Sequence, residues 1–477
     1  MKANTAADFR SLLLDKFPHS PTALQTTTLG QLAEFIFSVT DNQLFLLRGF
    51  AGTGKTTIIA ALVRHLWHTQ RKAVLMAPTG RAAKVISTYS GTQAFTIHKK
   101  IYFPKKQSGG GVQFVLAPNK HRNTIFIVDE ASMISDTPSD SKLFENGSLL
   151  DDLIQYVYSG HRCKLMLIGD TAQLPPVRLE LSPALNRKQL ELNYNKEVIE
   201  IELDEVMRQK EASGILYNAT NLRQQLQTGY YTDFQFRVNG FSDIVRLIDG
   251  NEIQGAIDEA YAQQGREETV VIVRSNKRAN LYNSNIRQRI LFLEQEIAVG
   301  DFMMVVKNNY FWLKPNSAAG FIANGDILEI LELFAIKDLY GFRFAEVKVQ
   351  MVDYPDQKPF ETVLLLDTIN AESPSLPYEQ GNKLYQEVLQ DYAHEKSKYR
   401  QFMGVKNNKY FNALQVKFSY AVTCHKSQGG QWSTVFIEQP YLPNGPDKAY
   451  LRWLYTAVTR ARQQLYLIGF KDDFFVE

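Results

Sequence analysis

Residues Gly49 to Ile58 read GFAGTGKTTI, glycines and threonines around a single lysine, set between two apolar runs. Glycine loses more backbone freedom on ordering than any other residue, so a segment this bare needs a reason. Upstream, QLFLLR (43–48) reads as a short buried strand; downstream, TTIIAALVRHLWH (56–68) has the composition and spacing of a helix. Strand, glycine turn and helix together form a setting in which backbone N–H groups converge on a phosphate at the positive end of the helix. Gly49, four residues, then Gly54-Lys55-Thr56 completes G-x-x-x-x-G-K-[ST]. Lys55 is expected to set its charge against the β- and γ-phosphates of ATP, and Thr56 its hydroxyl on Mg²⁺. Gly52, Thr53 and Thr57 complete the expected nucleotide-binding set. A turn that merely joined strand to helix would need neither the lysine nor the hydroxyl.

Two further strand ends point the same way. NTIFIVDEASMI places Asp129 and Glu130 just past the apolar run Ile125 to Val128. Carboxylates at the carboxyl end of a parallel strand are well placed to meet a metal and a water. Asp129 is expected to hold Mg²⁺ or its water shell, and Glu130 to orient and deprotonate an attacking water. CKLMLIGDTAQLPPV then sets Asp170 and Gln173 past a third strand, where a neutral amide can bond both phosphate and water.

The chain has 477 residues, room for about three domains, with 44% hydrophobic and 22% charged residues, the balance of an ordinary globular protein. No apolar run approaches the ~18 residues that a membrane span needs, and MKANTAADFRSLLLDKF reads as a short amphipathic helix with acidic residues. Two cysteines, Cys163 and Cys424, make no metal cage by themselves. A cytoplasmic location with no membrane partner is expected. A net charge of +3 excludes a blanket polyanion binder, so any nucleic acid must be held in a local groove.

Kinases and GTPases share the glycine loop, so the class rests on wording elsewhere. In order the chain carries APTGRAAKVIS, TIHKKI, FIVDEASMI, LIGDTAQLPPV, LDEVMRQ, YAVTCHKSQGGQW and WLYTAVTRARQQLYLIG. From about residue 25 to residue 470 this resembles superfamily 1 DNA helicases of the RecD/Dda/Pif group, the branch that moves 5′→3′ on single strands. The resemblance implies an α/β fold of two RecA-like motor domains with ATP between them. The first is expected over residues 1–192, with a pin-like hairpin at about 99–121. The second spans 193–298 and 418–477, interrupted by an SH3-like β-barrel with a helical arm over 299–417. It further implies that Gln31 reads adenine, that Gln173 is the γ-phosphate sensor, and that Gly429 closes on the nucleotide. Arg208 and Arg460 match the arginines that the second motor presents to the γ-phosphate.

For the strand itself, Thr79, Gly80 and Arg81 in the first motor and Thr423, His425, Lys426 and Ser427 in the second match the family's backbone contacts. His98 and Asn276 are further candidates. The expected partners are single-stranded DNA and junctions of single and double strands, engaged by a monomer. A different class of function, an ATP-gated DNA-binding subunit of a larger recombination or repair complex, remains open at this point. The presence of Glu130, Gln173 and both arginines argues for hydrolysis.

Overall fold

The computed structural model describes residues 3–106, 112–136, 148–205, 213–314, 317 and 319–476. Strands Ala94–Thr96, Lys72–Ala77, Thr124–Val128, Lys164–Gly169, Gln43–Gly49 and Glu197–Leu203 lie side by side in that order, all parallel. Helices cover both faces, which is why Thr124–Val128 and Lys164–Gly169 are buried at every position and show no polar alternation. Lys164 is the exception by residue type. Its ammonium donates to Phe35 O (2.8 Å) and Ser38 O (2.9 Å), satisfying carbonyls at the end of the helix Ala23–Phe37.

One expected boundary moves. Glu197–Leu203 pairs along its whole length with Gln43–Gly49, so the first motor extends past residue 192 to include it. The alternation EVIEIEL marks a half-buried edge strand, and nothing local says which sheet it joins.

A second parallel sheet follows, in the order Ala421–Thr423, Thr269–Val273, Trp432–Glu438, Ala461–Ile468 and Ile244–Leu247. Its strand Thr269–Val273 and strand Ala421–Thr423 flank the inserted segment in sequence. That insertion is the expected barrel: Phe302–Val305, Ile327–Leu339, Phe342–Met351, Phe360–Leu365 and Leu414–Phe418 close on themselves. Two helices, Tyr378–Gln390 and Lys398–Asn407, form the arm. Leu384, Val388 and Val405 bury its apolar side against Phe344 and Leu365 of the barrel. The hairpin is present as Tyr102–Lys106 paired with Val112–Leu116. Its glycine turn lies outside the described residues. The Phe114 ring lies tilted 4.1 Å from that of Tyr310 in the insertion, so the hairpin touches the segment that leads into the barrel. Tyr310, Phe311 and Trp312 accordingly pack and bond within the protein; the Trp312 indole donates to Asn412 O at 2.8 Å.

Candidate active site

The carboxyl ends of the first sheet's strands open into a cavity of about 580 Å³ that residues of both sheets line. The glycine loop forms its floor. Gly52 (φ +74°) and Gly54 (φ +88°) occupy the left-handed region that a side chain strains against, which explains two of the glycines. Gly49 answers to close approach: a Cβ there would lie 3.0 Å from Leu203 Cβ and Thr53 Oγ1. Lys55 begins the helix Lys55–His65 and its ammonium donates to Gly49 O (2.7 Å) and Phe50 O (2.8 Å), which holds it over the loop. Thr56 and Thr57 face the cavity. Thr53 does not. It is 1% exposed and its hydroxyl donates inward to Phe50 O at 2.9 Å, so it shapes the loop from behind.

Asp129 and Glu130 stand at the end of Thr124–Val128, as the sequence implied. Burial, and then the neighbouring Glu130 carboxylate, raise the Asp129 carboxyl above its usual range; the Glu130 N–H and Lys55 pull the other way. Asp129 Oδ1 accepts the Glu130 N–H at 2.8 Å, and Glu130 is held at φ +54°. A non-glycine residue held there at a strand end is a strained backbone that the surrounding structure enforces. Gln173 is 6% exposed and lines the cavity, and its Oε1 is buried without a hydrogen-bond partner. A buried acceptor in that condition is expensive unless a donor arrives.

The second motor supplies the remaining wall. Arg460, at 2% exposure, donates from Nε to Thr456 O (3.0 Å) and from Nη1 to Gly430 O (3.2 Å), which aims the guanidinium at Glu130 Oε1, 3.9 Å away. Gly429 (φ +73°) lines the cavity, and a Cβ there would lie 2.8 Å from Ala82 Cβ and 3.0 Å from Thr79 Oγ1. Ile215, Leu216 and Ala219 of the helix Gly214–Thr228 and His19 also line the cavity. Phe50, Ala172 and Leu174 of the first motor pack into the second motor's apolar cluster. Arg208 lies outside the described residues.

Gln31 sits in the middle of Ala23–Phe37 and is not among the residues that line the cavity. Gln25, two turns earlier, is the glutamine that meets the loop, with Nε2 donating to Thr53 O at 3.1 Å. Its signal was in the sequence. Thr22-x-x-Gln25 is a capping box, and both reciprocal bonds are present.

Two of the expected strand contacts, Gly80 and Lys426, meet the barrel turn 324–326, and two others are exceptions of orientation. Gly80 faces Asp326 and Tyr354: a Cβ there would lie 2.5 Å from Asp326 Oδ1. Lys426 bonds to Asn324 Oδ1, and burial lowers its ammonium to about 8. Thr79 caps the helix Gly80–Ser90, its Oγ1 accepting Ala82 N–H at 3.2 Å. Arg81 is the first exception. Its guanidinium stacks 4.0 Å over Trp432 and bonds to Glu267 O and Gln431 O, so it ties the first motor to the second. Ser427 is the second: it is fully buried and its hydroxyl donates to Cys424 O at 2.8 Å, facing its own helix. His425 is exposed and Thr423 half-buried. Burial pushes the His98 imidazole down to about 4, beside Tyr102. Asn276 donates to Glu372 O of the insertion at 2.9 Å.

Residues 28–233 match the family described as an AAA domain, and residues 418–468 match the UvrD-like helicase C-terminal domain. Among curated proteins, the chain is 24% identical over 461 residues to the ATP-dependent DNA helicase dda of Enterobacteria phage T4, covering 88% of this chain and 93% of that one. It is 23% identical over 524 residues to an uncharacterized protein of Acanthamoeba polyphaga mimivirus, covering 92% and 98%. Among solved structures, a Pif1 helicase from Bacteroides in complex with ADP-AlF3 and ssDNA aligns over 96% of this chain and 95% of that one, at 14% identity and a TM-score of 0.48.

Proposed function

We propose, from the premise that this chain belongs to the RecD/Dda/Pif group of superfamily 1 DNA helicases, that it is an ATP hydrolase which moves 5′→3′ along single-stranded DNA and unwinds duplex. The observation that carries this reading is Arg460: it comes from the second motor yet lies 3.9 Å from Glu130, inside the cavity floored by the glycine loop. Phosphoryl transfer needs little covalent help and much charge neutralisation, and an arginine brought in from another body is worth about 10³–10⁵ in rate. Catalysis then depends on the two motors being together, which couples hydrolysis to movement.

In this reading Lys55 and the loop N–H groups bind the β- and γ-phosphates. Arg460, paired with Glu130 before substrate arrives, turns to the γ-phosphate and frees the carboxylate to accept the proton of the attacking water. The unpartnered Gln173 Oε1 accepts the water's other hydrogen and so fixes its direction of attack. The purine ring is proposed to meet apolar and aromatic lining residues such as Ile215, Leu216 and His19. The oxygen donors Thr56 Oγ1 and Asp129 suit Mg²⁺, a hard cation usually held by one or two protein groups together with water and phosphate. The raised Asp129 carboxyl fits the same assignment, since an adjacent cation would offset the burial that opposes its charge. When bound, that ion supplies neutralisation of the triphosphate charge.

The strand is proposed to run past Thr79, Gly80, Thr423, His425 and Lys426, where both motors meet the barrel turn, with His98 and Asn276 at its margins. Phosphate loop and arginine belong to one polypeptide, so the motor is proposed to work as a monomer, in the cytoplasm. No helix among the described residues is long and apolar enough to cross a membrane.

Strand displacement tests the proposal. Partial duplexes with a 5′ single-stranded overhang should be separated with ATP, those with a 3′ overhang should not, and Lys55→Ala should abolish both unwinding and hydrolysis. Hydrolysis that survives Lys55→Ala, or displacement from the 3′ overhang alone, would overturn it.

A further inference from the structure

The helix Lys448–Val458 ends two residues before Arg460, and its last turn touches the first motor at three polar points. Tyr455 is 1% exposed. Its phenol donates to Asp170 Oδ2 at 2.6 Å and accepts the N–H of Ala51, inside the glycine loop, at 2.9 Å. The next residue, Thr456, accepts the Leu174 N–H on its Oγ1 at 2.8 Å. Gln428, also from the second motor, donates to Leu174 O at 2.7 Å.

These contacts bracket Gln173. On one side Asp170 takes the Tyr455 proton through Oδ2 while its Oδ1 accepts Ala172 N–H at 2.9 Å. On the other, Leu174 has both of its peptide groups bonded to the second motor. The segment that carries the unpartnered amide is therefore fixed at both ends by a body that must come together with it. The same phenol holds a peptide of the phosphate loop. Phenylalanine would fill the space equally well, so packing alone does not call for the hydroxyl. The hydroxyl has one donor and one acceptor duty, and both are across the interface.

We infer that Tyr455 is a positioning residue which registers contact between the motors: its hydroxyl, with Thr456 beside it, sets the Asp170–Leu174 segment and the Ala51 peptide in the geometry that hydrolysis needs. This rests on the hydrolase reading above and extends it. Arg460 supplies charge, and Tyr455 ensures that the water-orienting amide is in place when that charge arrives. Both lie on one helix end, so a single rigid movement delivers them together. Burial, and then Asp170, raise the phenol well above its usual pKa, which keeps it a hydrogen donor across the working range.

The test is Tyr455→Phe, Asp170→Asn, their double variant, and the isosteric Thr456→Val, each assayed for ATP hydrolysis with saturating single-stranded DNA. Loss of a charge-assisted bond made only with the motors together predicts kcat lower by roughly 10- to 100-fold in Tyr455→Phe. KM for ATP, and affinity for a non-hydrolysable ATP analogue, should stay within about threefold, because nothing that binds nucleotide is removed. Thr456→Val should show the same split in smaller degree. The double variant should be little worse than Tyr455→Phe alone, since that change already removes the bond that Asp170→Asn weakens.

A Tyr455→Phe enzyme with the parent's kcat overturns the inference, as does a fall in kcat matched by an equal fraction of unfolded protein. Additive losses in the double variant overturn it too. If Tyr455→Phe fails to fold, Thr456→Val decides alone by the same split. The two readings separate cleanly: a parent chain with no DNA-stimulated hydrolysis defeats the hydrolase reading, whereas a parent inactivated by Lys55→Ala but indifferent to Tyr455→Phe defeats only this one.

Discussion

Removing the Arg460 side chain is the perturbation with the largest expected effect on chemistry. The guanidinium is buried and donates to Thr456 O, Gly430 O and Thr459 Oγ1 at 3.0, 3.2 and 3.2 Å, which leaves it aimed at Glu130. Arginines in this position contribute about 10³–10⁵ to kcat, equivalent to ~4–7 kcal/mol of transition-state stabilisation. Arg460→Ala should therefore bring DNA-stimulated hydrolysis close to background. Nucleotide binding should persist, because Lys55 and the loop peptides belong to the other motor. The substitution also strips donors from buried carbonyls, at about 1–3 kcal/mol for each group left unmet, so thermal unfolding must be followed alongside. Arg460→Lys restores the charge without the planar fork. A lysine cannot hold Gly430 O and Thr456 O while facing the phosphate, so recovery should be partial at best. Phosphate release at saturating ATP and single-stranded DNA gives kcat, and titration with a non-hydrolysable analogue gives affinity. A folded Arg460→Ala protein whose kcat lies within tenfold of the parent would refute the reasoning.

Two further predictions concern the contact between the barrel and the first motor. Asp326 is 1% exposed with Oδ1 unpartnered, and burial, then Asp353, hold its carboxyl up at about 8. The folded state thus binds this proton more tightly than the unfolded chain does. Stability from this group is greatest below its unfolded pKa near 4 and declines as pH rises to about 8. Asp326→Asn should match the parent near pH 4 and exceed it by an amount on the order of 5 kcal/mol at pH 8; equal melting temperatures at both pH values would contradict this. Gly80→Ala would place a methyl 2.5 Å from Asp326 Oδ1 and 2.8 Å from the Tyr354 hydroxyl. It should cost about 1–3 kcal/mol and raise amide exchange at residues 324–326 and 353–354, whereas unchanged exchange there would show that the two surfaces are not held together.

Motifs in which chemistry fixes the spacing were legible. The glycine loop, Asp129-Glu130, Gln173, Gly429 and Arg460 belong to motifs of fixed wording and spacing, and the fold brings them into one cavity. The barrel and the arm were expected from the resemblance to the helicase group, and the structure has a closed five-stranded barrel and two helices there. What escaped was decided by distant partners. Glu197–Leu203 joins the first sheet through pairing with residues 43–49, which no local pattern reveals. Gln31 lies in the helix Ala23–Phe37 and is not among the cavity lining, and the capping box that identifies Gln25 is a signal of helix entry rather than of ligand binding. Thr53, Ser427 and Arg81 have the right chemistry for phosphate but bond inward or across the motors. A motif specifies which side chains are present, whereas their direction follows from packing.

Both cysteines are buried, Cys163 at 2% and Cys424 at 0%, while Trp67 on the first motor and Tyr441 on the second are 67% and 88% exposed. Trp67→Cys and Tyr441→Cys therefore accept a donor and an acceptor dye without competition from native thiols. Single-molecule energy transfer between them should switch between two values as ATP is hydrolysed on single-stranded DNA, and should remain at one value in Lys55→Ala. A constant separation during steady hydrolysis would contradict the account of two motors that close on a shared nucleotide.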